Sequence, residues 1–304
     1  MKKSLLLQIS VPFCVRRCAH CPRAVCKYDP LTAHAYAEAV LEEIEAVAPD
    51  MTDYAVKAVA FEEGCPALLD AADLQAILRA LRRRFDVDGD AQISLRTLPG
   101  DQSRALMERM RDAGVDLWTV GLATADRREH DLLRRPYRFD ALTMVDVALR
   151  TFDPRRLSFD LLYGIPGQTP RSWAHTLETA LAYRPDHLTT RPLDLTVNSA
   201  LRADVALGLV EPLDRAVTEA IEAYTDEKLT GLGYACYLPH RYCLPGKEDR
   251  FKLYRSRGVE QLGLGYRAVT IMDGLRYTNG HSLREYMTCP GDIAVLVNDL
   301  MKLE

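Results

Sequence analysis

The chain has 304 residues, 48% hydrophobic and 27% charged, with a formal net charge of -4 and an isoelectric point near 6.0. That length buries a full core without disulfides, and the near balance of charge gives no support to a nucleic-acid or anionic-membrane partner, local patches such as Arg82-Arg83-Arg84 aside. No run approaches the ~18 apolar residues of a membrane span, so the expected compartment is the cytoplasm, where cysteines stay reduced.

Met1-Lys2-Lys3 followed by the apolar residues 5–9 has the outline of a signal peptide, but Gln8 interrupts the run and Pro12 follows with no small-residue cleavage site. A strand is predicted there instead. Short β-branched or Leu-rich runs then alternate with amphipathic stretches. They predict strands at 5–11, 55–61, 91–97, 117–121, 157–162 and 187–192, and helices at 32–47 (capped by Thr32), 69–85, 103–113, 140–151 and 170–183. Six βα units over residues 1–195 are too few for a closed eight-stranded barrel. They predict an α/β fold built as an open, partial β/α barrel of about six strands. After residue 196 the texture changes. A helical stretch at 213–229, "GYACYLP", the hairpin-like "GLGYRAVTIMDGLRYTNG" and a final helix at 291–300 predict a smaller C-terminal α/β domain over 196–304.

Four of the eight cysteines fall in "SVPFCVRRCAHCPRAVC", residues 10–26. Cys14-x3-Cys18-x2-Cys21 follows directly on the first strand, in the first βα loop, at the mouth where such folds keep their chemistry. Three thiols this close leave one over from any disulfide pairing. They suit a zinc site completed by His20 or Cys26, or an iron–sulfur cluster, normally held by four thiolates and here with one iron open to an outside ligand. Cys236, His240 and Cys243 in "CYLPHRYC" form a second group with metal-ligand character, or else a surface loop with a core cysteine. Cys65 and Cys289 read as small buried hydrophobes. His187 is a polar core residue or one that reaches the mouth. Asp160, alone in an apolar run, is expected either to meet a ligand hydroxyl or amine or to cap the turn at 164–167.

The cysteine spacing behind "SVPFC" resembles the radical S-adenosylmethionine (SAM) superfamily, and more closely its oxygen-independent coproporphyrinogen III oxidase-like branch, which includes that oxidase, haem chaperones and methyltransferases. "RDAGVDLWTVGL" (111–122), "LSFDLLYGIPGQT" (157–169), "RPDHLTT" (184–190) and "QLGLGYRA" (261–268) carry the likeness onward in order, from about residue 5 to 290. The resemblance implies that Cys14, Cys18 and Cys21 hold a 4Fe-4S cluster whose open iron takes the amino and carboxylate groups of SAM. One-electron reduction then yields a 5′-deoxyadenosyl radical that abstracts a substrate hydrogen. Cys26 is a spare thiol or a further ligand. The resemblance also implies that Asp160 and Gly64 belong to cofactor binding. Arg135, or its neighbour Arg134, meets the SAM carboxylate. The implied partners are a small-molecule substrate, a tetrapyrrole among the candidates, and an electron donor such as a flavodoxin or ferredoxin.

Several family positions depart from the pattern. Glu62-Glu63-Gly64-Cys65-Pro66 stands where the family has Gly-Gly-Gly-Thr-Pro, Arg96 where it has a ribose-binding glutamate, and Ala123 where it has a glutamine. Gln8 and Ser10 replace a tyrosine and a histidine. Glu62 or Glu63 is expected to pair with Arg96 across neighbouring strand ends, in an enzyme that is divergent but intact. The alternative is a chain that has lost the adenosyl pocket. Two other functions remain open beside the enzyme. One is a non-catalytic haem or metal binder like the haem chaperones, although the run 250–255 keeps only Tyr254 of their His-Asn-x-x-Tyr-Trp stretch. The other is a metal-stabilised barrel with no reaction.

Overall fold

A computed structural model describes residues 2–21, 23, 25–100, 104–141, 156–292 and 297–302. All six predicted strand runs are strands: β1 (Lys3–Ser10), β4 (Tyr54–Glu62), β5 (Val87–Thr97), β6 (Leu117–Ala123), β7 (Arg156–Tyr163) and β8 (His187–Pro192), with the two-residue β2 (Phe13–Cys14) and β3 (Cys26–Lys27) in the loop after β1. Between them lie α1 (Pro30–Val47), α2 (Ala71–Arg84), α3 (Arg104–Asp112), α4 (Arg127–Leu132) and α5 (Pro170–Leu181). Helix α1 begins two residues before the predicted start. Asp29, not Thr32, is its cap: the Asp29 carboxylate accepts from the Thr32 amide at 2.8 Å, and Pro30 occupies the first turn, where its missing N–H costs nothing. The helix predicted at 140–151 lies almost wholly outside the described residues.

Strands β1, β4, β5, β6, β7 and β8 pair in that order, all parallel. Their β-branched and Leu-rich runs are buried because helices cover the sheet. The largest apolar cluster joins β1, β4 and β5 to α1, α2 and α3. A second joins β6, β7 and β8 to α5 and to α7 (Arg215–Gly231), which follows the short α6 (Ala200–Ala206).

The segment beyond residue 196 adds strands to both edges of this sheet. On the β8 side, β9 (Ala235–Leu238) and β10 (Arg241–Cys243) form an antiparallel hairpin, with β10 against β8. After α8 (Arg250–Ser256) the chain crosses to the other side, where β11 (Glu260–Leu264) runs parallel to β1. β12 (Val269–Met272) and β13 (Leu275–Asn279) follow as a hairpin around Asp273-Gly274, both at positive φ, the two-residue turn that suits strand twist. Beyond α9 (Leu283–Thr288), residues 297–302 correct the predicted final helix: they form β14 (Val297–Lys302), paired with β13 around a bulge. The exposed edge of β13 satisfies the β14 backbone, and that outweighs local helical spacing. Together these strands make a mixed α/β fold around a large, mostly parallel sheet, in the order β14-β13-β12-β11-β1-β4-β5-β6-β7-β8-β10-β9.

β11 is anchored to β1 by polar ties as well as by the ladder. The Ser10 hydroxyl donates to the Tyr266 carbonyl at 2.6 Å, and the Tyr36 hydroxyl of α1 donates to the Ser10 carbonyl at 2.6 Å. Gly265 is required here: its φ is +97°, and a Cβ would stand 2.4 Å from the Tyr36 hydroxyl. Glu43 of α1 is fully enclosed and accepts from the Gly265 amide, Asn279 Nδ2 and the Tyr286 hydroxyl at 2.6–2.7 Å.

Candidate functional site

The cysteine loop leaves the C-terminal end of β1, turns at Pro12, and is held by the β2–β3 pairing of Phe13 with Cys26. Cys14, Cys18 and Cys21 are free thiols bordering one cavity of about 280 Å³. Burial, and then the neighbouring Cys18 and Cys21, push the Cys14 thiol up, so a ligand that takes thiolates must displace its proton. Among the described residues no three His, Cys, Asp or Glu side chains are gathered tightly enough for a single metal ion. Three thiols ranged around one cavity fit a cluster, in which each iron takes its own thiolate, better than a tetrahedral zinc. Cys26 is not among the residues lining that cavity; it packs, half-buried, against the main apolar core.

Arg135 is the arginine turned inward. Its Nη1 donates to Cys18 Sγ at 3.4 Å, its Nη2 donates to the Gly121 carbonyl, and its guanidinium stacks on Tyr137 at 5.1 Å. Arg134 points away and pairs with Asp204 at 3.2 Å. Gly64 also borders the cavity: a Cβ there would stand 2.4 Å from the Phe13 carbonyl oxygen and 2.6 Å from that of Val11. Only glycine lets the β4 loop press against the backbone that enters the cysteine loop.

Asp160 is not among the residues lining the thiol cavity; it borders a smaller adjoining one, where two cations already hold it. Arg96 Nε donates to its carboxylate at 3.1 Å, and Arg191 lies 3.6 Å away. Burial would raise its pKa, yet Arg96 and Arg191 hold it well below the usual carboxylate range. The expected pairing of Arg96 with Glu62 or Glu63 is therefore corrected. Glu62 bonds Lys252 of α8, which against the opposing effect of burial lowers it to about 2, and Glu63 pairs with Arg23 at 3.6 Å. β7 lies two strands from β5 and its carboxylate reaches Arg96 across the sheet, whereas Lys252 arrives from the far C-terminal segment. Nor does Asp160 cap the turn at 164–167. Gln168 does so, accepting from the Gly164 amide at 2.8 Å and donating to buried Glu129 at 3.0 Å, which makes "GIPGQT" a bracing motif.

The remaining departures also have structural partners. Gln8 accepts from the Val269 amide at 2.9 Å and Ser10 binds Tyr266, so both tie β1 to the C-terminal strands. Ala123 joins Ala19 of the cysteine loop in an apolar cluster. His187 is satisfied inside the sheet, Nδ1 bonding the Ser158 hydroxyl and Nε2 the Tyr237 hydroxyl, each at 2.8 Å, and burial lowers it to about 3. The second cysteine group is dispersed. Cys236 lies opposite Tyr242 on the β9–β10 hairpin, one residue out of phase with Cys243, so the two thiols face opposite sides. His240 in the turn bonds the Tyr163 hydroxyl at 3.2 Å. Cys65 is buried and Cys289 half-buried.

Beside Arg135 and Arg96, two further cations, Arg23 and Arg191, stand at the site without having been marked by any motif. Arg23, Arg96, Arg135 and Arg191 all line the thiol cavity, and Arg23, Arg96 and Arg191 also line a smaller one of about 60 Å³ beneath it, with Arg241 and Lys252. His20 lines the upper cavity too, where burial and the surrounding arginines lower it to about 3. The signal was present in "TTRP", an arginine ending a strand that otherwise faces inward.

The radical SAM superfamily model matches residues 9–180, more than half of the chain. The chain belongs to the radical SAM superfamily. Within it, the chain is similar to the heme chaperone HemW of Synechocystis sp., at 28% identity over 88% of this chain and 66% of that protein. It is also similar to the oxygen-independent coproporphyrinogen III oxidase of Pseudomonas aeruginosa, at 25% identity over 93% of this chain and 65% of that one. It spans just under two thirds of the length of these relatives. Its fold is that of the solved coproporphyrinogen III oxidase HemN from Escherichia coli, a radical SAM enzyme, with a TM-score of 0.83 over 100% of this chain and 73% of that one at 22% identity. The superfamily implies a 4Fe-4S cluster and SAM. No helix among the described residues is long and apolar enough to cross a membrane.

Proposed function

We propose that the chain is a radical SAM enzyme in which Cys14, Cys18 and Cys21 hold a 4Fe-4S cluster and the cavity beside them takes SAM. The single observation that carries this reading is the placement of the three free thiols around one cavity at the C-terminal end of β1. When bound and reduced, the cluster and SAM supply a 5′-deoxyadenosyl radical for hydrogen abstraction from a small-molecule substrate. Arg135, buried against Cys18, orients the SAM carboxylate and offsets thiolate charge. Gly64 sets the spacing between the β4 loop and the cysteine loop. The Arg96–Asp160–Arg191 group replaces a lone ribose-binding acid with an ion pair, so the ribose is held elsewhere. Bracing by Glu129 and Gln168 keeps the mouth rigid and limits water near the radical. The electron comes from a small redox protein. Anaerobically reconstituted, chemically reduced protein is expected to form 5′-deoxyadenosine from SAM, and Cys14→Ala, Cys18→Ala or Cys21→Ala to abolish it. Wild-type protein with a full, reducible cluster and no product would overturn the proposal.

The similarity to heme chaperones favours a second reading, a non-catalytic cluster-bearing haem binder. Haem titration separates the two: a saturable shift of the visible band, lost in His240→Ala, supports the carrier, and its absence leaves the enzyme.

A further inference from the structure

Three buried side-chain nitrogens without a hydrogen-bond partner, His20 Nδ1, Arg23 Nη1 and Arg135 Nε, belong to residues that line the cavity beside the thiols. A buried polar group left without a partner destabilises the fold. Three around one cavity mark a place shaped for a ligand rich in hydrogen-bonding atoms.

Charge narrows the class of that ligand. Arg23, Arg96, Arg135 and Arg191 face this cavity, and the carboxylates paired with them are Glu63, on Arg23, and Asp160, on Arg96 and Arg191. Two positive charges are left over. Lys252 and Arg241, deeper in, stand beside Glu62 and Asp249 and add no excess. Exposed Arg17 and Asp194 at the rim cancel. The cofactors do not remove the surplus either. An oxidised 4Fe-4S core on three thiolates carries a single negative charge, while SAM, with sulfonium, ammonium and carboxylate, carries a single positive one, so together they are neutral. The crowding registers on Arg191, whose side chain is 45% exposed: Asp160 favours its charge, yet partial desolvation and the like charges of Arg96, Arg23 and Arg241 lower its pKa below the usual arginine value.

Resting on the enzyme reading above, we propose that this cavity binds a dianionic small-molecule substrate, a phosphate monoester or a dicarboxylate, with Arg23 and Arg191 holding its acidic groups. Arg96 is committed to Asp160, and Arg135 to Cys18, Gly121 and, in the enzyme reading, the SAM carboxylate; Arg23 keeps Nη1 unpartnered and Arg191 touches its carboxylate only at 3.6 Å. Guanidinium forks match either anion in a bidentate way.

The test uses the protein carrying its cluster, with SAM present, under anaerobic conditions at fixed ionic strength and pH 8. Methyl phosphate, succinate and acetate are titrated by calorimetry and by thermal denaturation. Methyl phosphate or succinate is expected to saturate and raise the melting temperature, binding about tenfold or more tightly than acetate. Whichever of the two binds separates the phosphate ester from the dicarboxylate. Arg23→Gln and Arg191→Gln are each expected to weaken that binding about tenfold or more, and Arg23→Lys and Arg191→Lys to restore part of it. Wild-type protein that carries the cluster and binds SAM but does not distinguish these dianions from acetate overturns the inference and leaves the enzyme reading standing. Glutamine variants that bind like wild type also overturn it. Protein that acquires no cluster and binds no SAM removes the enzyme reading, and the charge balance with it.

Discussion

The Arg96–Asp160 pair joins β5 to β7, and its energetic weight can be measured directly. The two groups are 3.1 Å apart with side chains 19% and 15% exposed, so solvent screens them little. At an effective dielectric of about 20, unit charges at that separation attract by roughly 5 kcal/mol. The desolvation of both groups offsets much of this, and removing one member of a buried pair costs about 3–5 kcal/mol because the other is left unmatched. Asp160→Asn strands Arg191 as well as Arg96 and is expected at the upper end of that range; Arg96→Gln, which leaves Arg191 in place, at the lower end. The double variant no longer contains either half of the pair and should recover about 2 kcal/mol of the summed losses. Urea denaturation of the four proteins at pH 7.5 closes the cycle. Because the folded-state pKa of Asp160 lies below its unfolded value, the gap between wild type and Asp160→Asn should hold from pH 8 to about pH 4 and shrink below that. Losses that simply add, within about 0.5 kcal/mol, would refute the claim that the two groups act as one unit.

Glu43 should give the opposite pH slope. Burial raises its carboxyl from 4.5 to about 7, so the folded protein holds this proton more tightly than the unfolded chain does. Stability from the neutral form is complete below pH 4.5 and falls by about 3 kcal/mol as pH rises to 7; Glu43→Gln should flatten that slope relative to wild type, and superimposable profiles would count against it. Gly64→Ala is expected to cost about 1–3 kcal/mol and to lower the iron and sulfide retained per chain, because its Cβ would enter the Val11 and Phe13 carbonyls. Cys26→Ala should keep its iron content while Cys18→Ala loses it; iron assays on both variants decide whether Cys26 is a ligand.

Most of the parallel strands were legible because they are apolar or β-branched runs between turn residues, although β5 and β8 carry more polar residues than the rest, and the cysteine spacing fell directly after the first strand. What escaped the sequence depended on partners far along the chain. Arg96 and Asp160 are 64 residues apart, and Glu62 and Lys252 are 190 apart. Nothing local says which carboxylate will claim which cation. The cap is set by the preceding Asp-Pro: Asp29 accepts from the amide of Thr32 itself, one turn earlier than a Thr32 cap would act, and proline starts a helix well. The segment 297–302 has helical spacing but lies beside an open strand edge, and long-range pairing prevailed there. Arg23 and Arg191 escaped because each, taken singly, reads as a solvated surface residue.

The placement of β11 beside β1 bears on the order in which the molecule is assembled. Leu5 pairs with Glu260 and Ile9 with Leu264, so one edge of the first strand waits for residues made some 250 positions later. Until they arrive, residues 5–9 present an apolar, unpaired edge, the kind of surface that recruits wrong partners. The same late segment ties Ser10, the last residue of β1 before the cysteine loop, to Tyr266. Non-local pairing of this kind is slow. The thiol cradle therefore gains its final support only after the C-terminal strands have docked, and metal delivered to a nascent chain would meet thiols on a tether rather than a site.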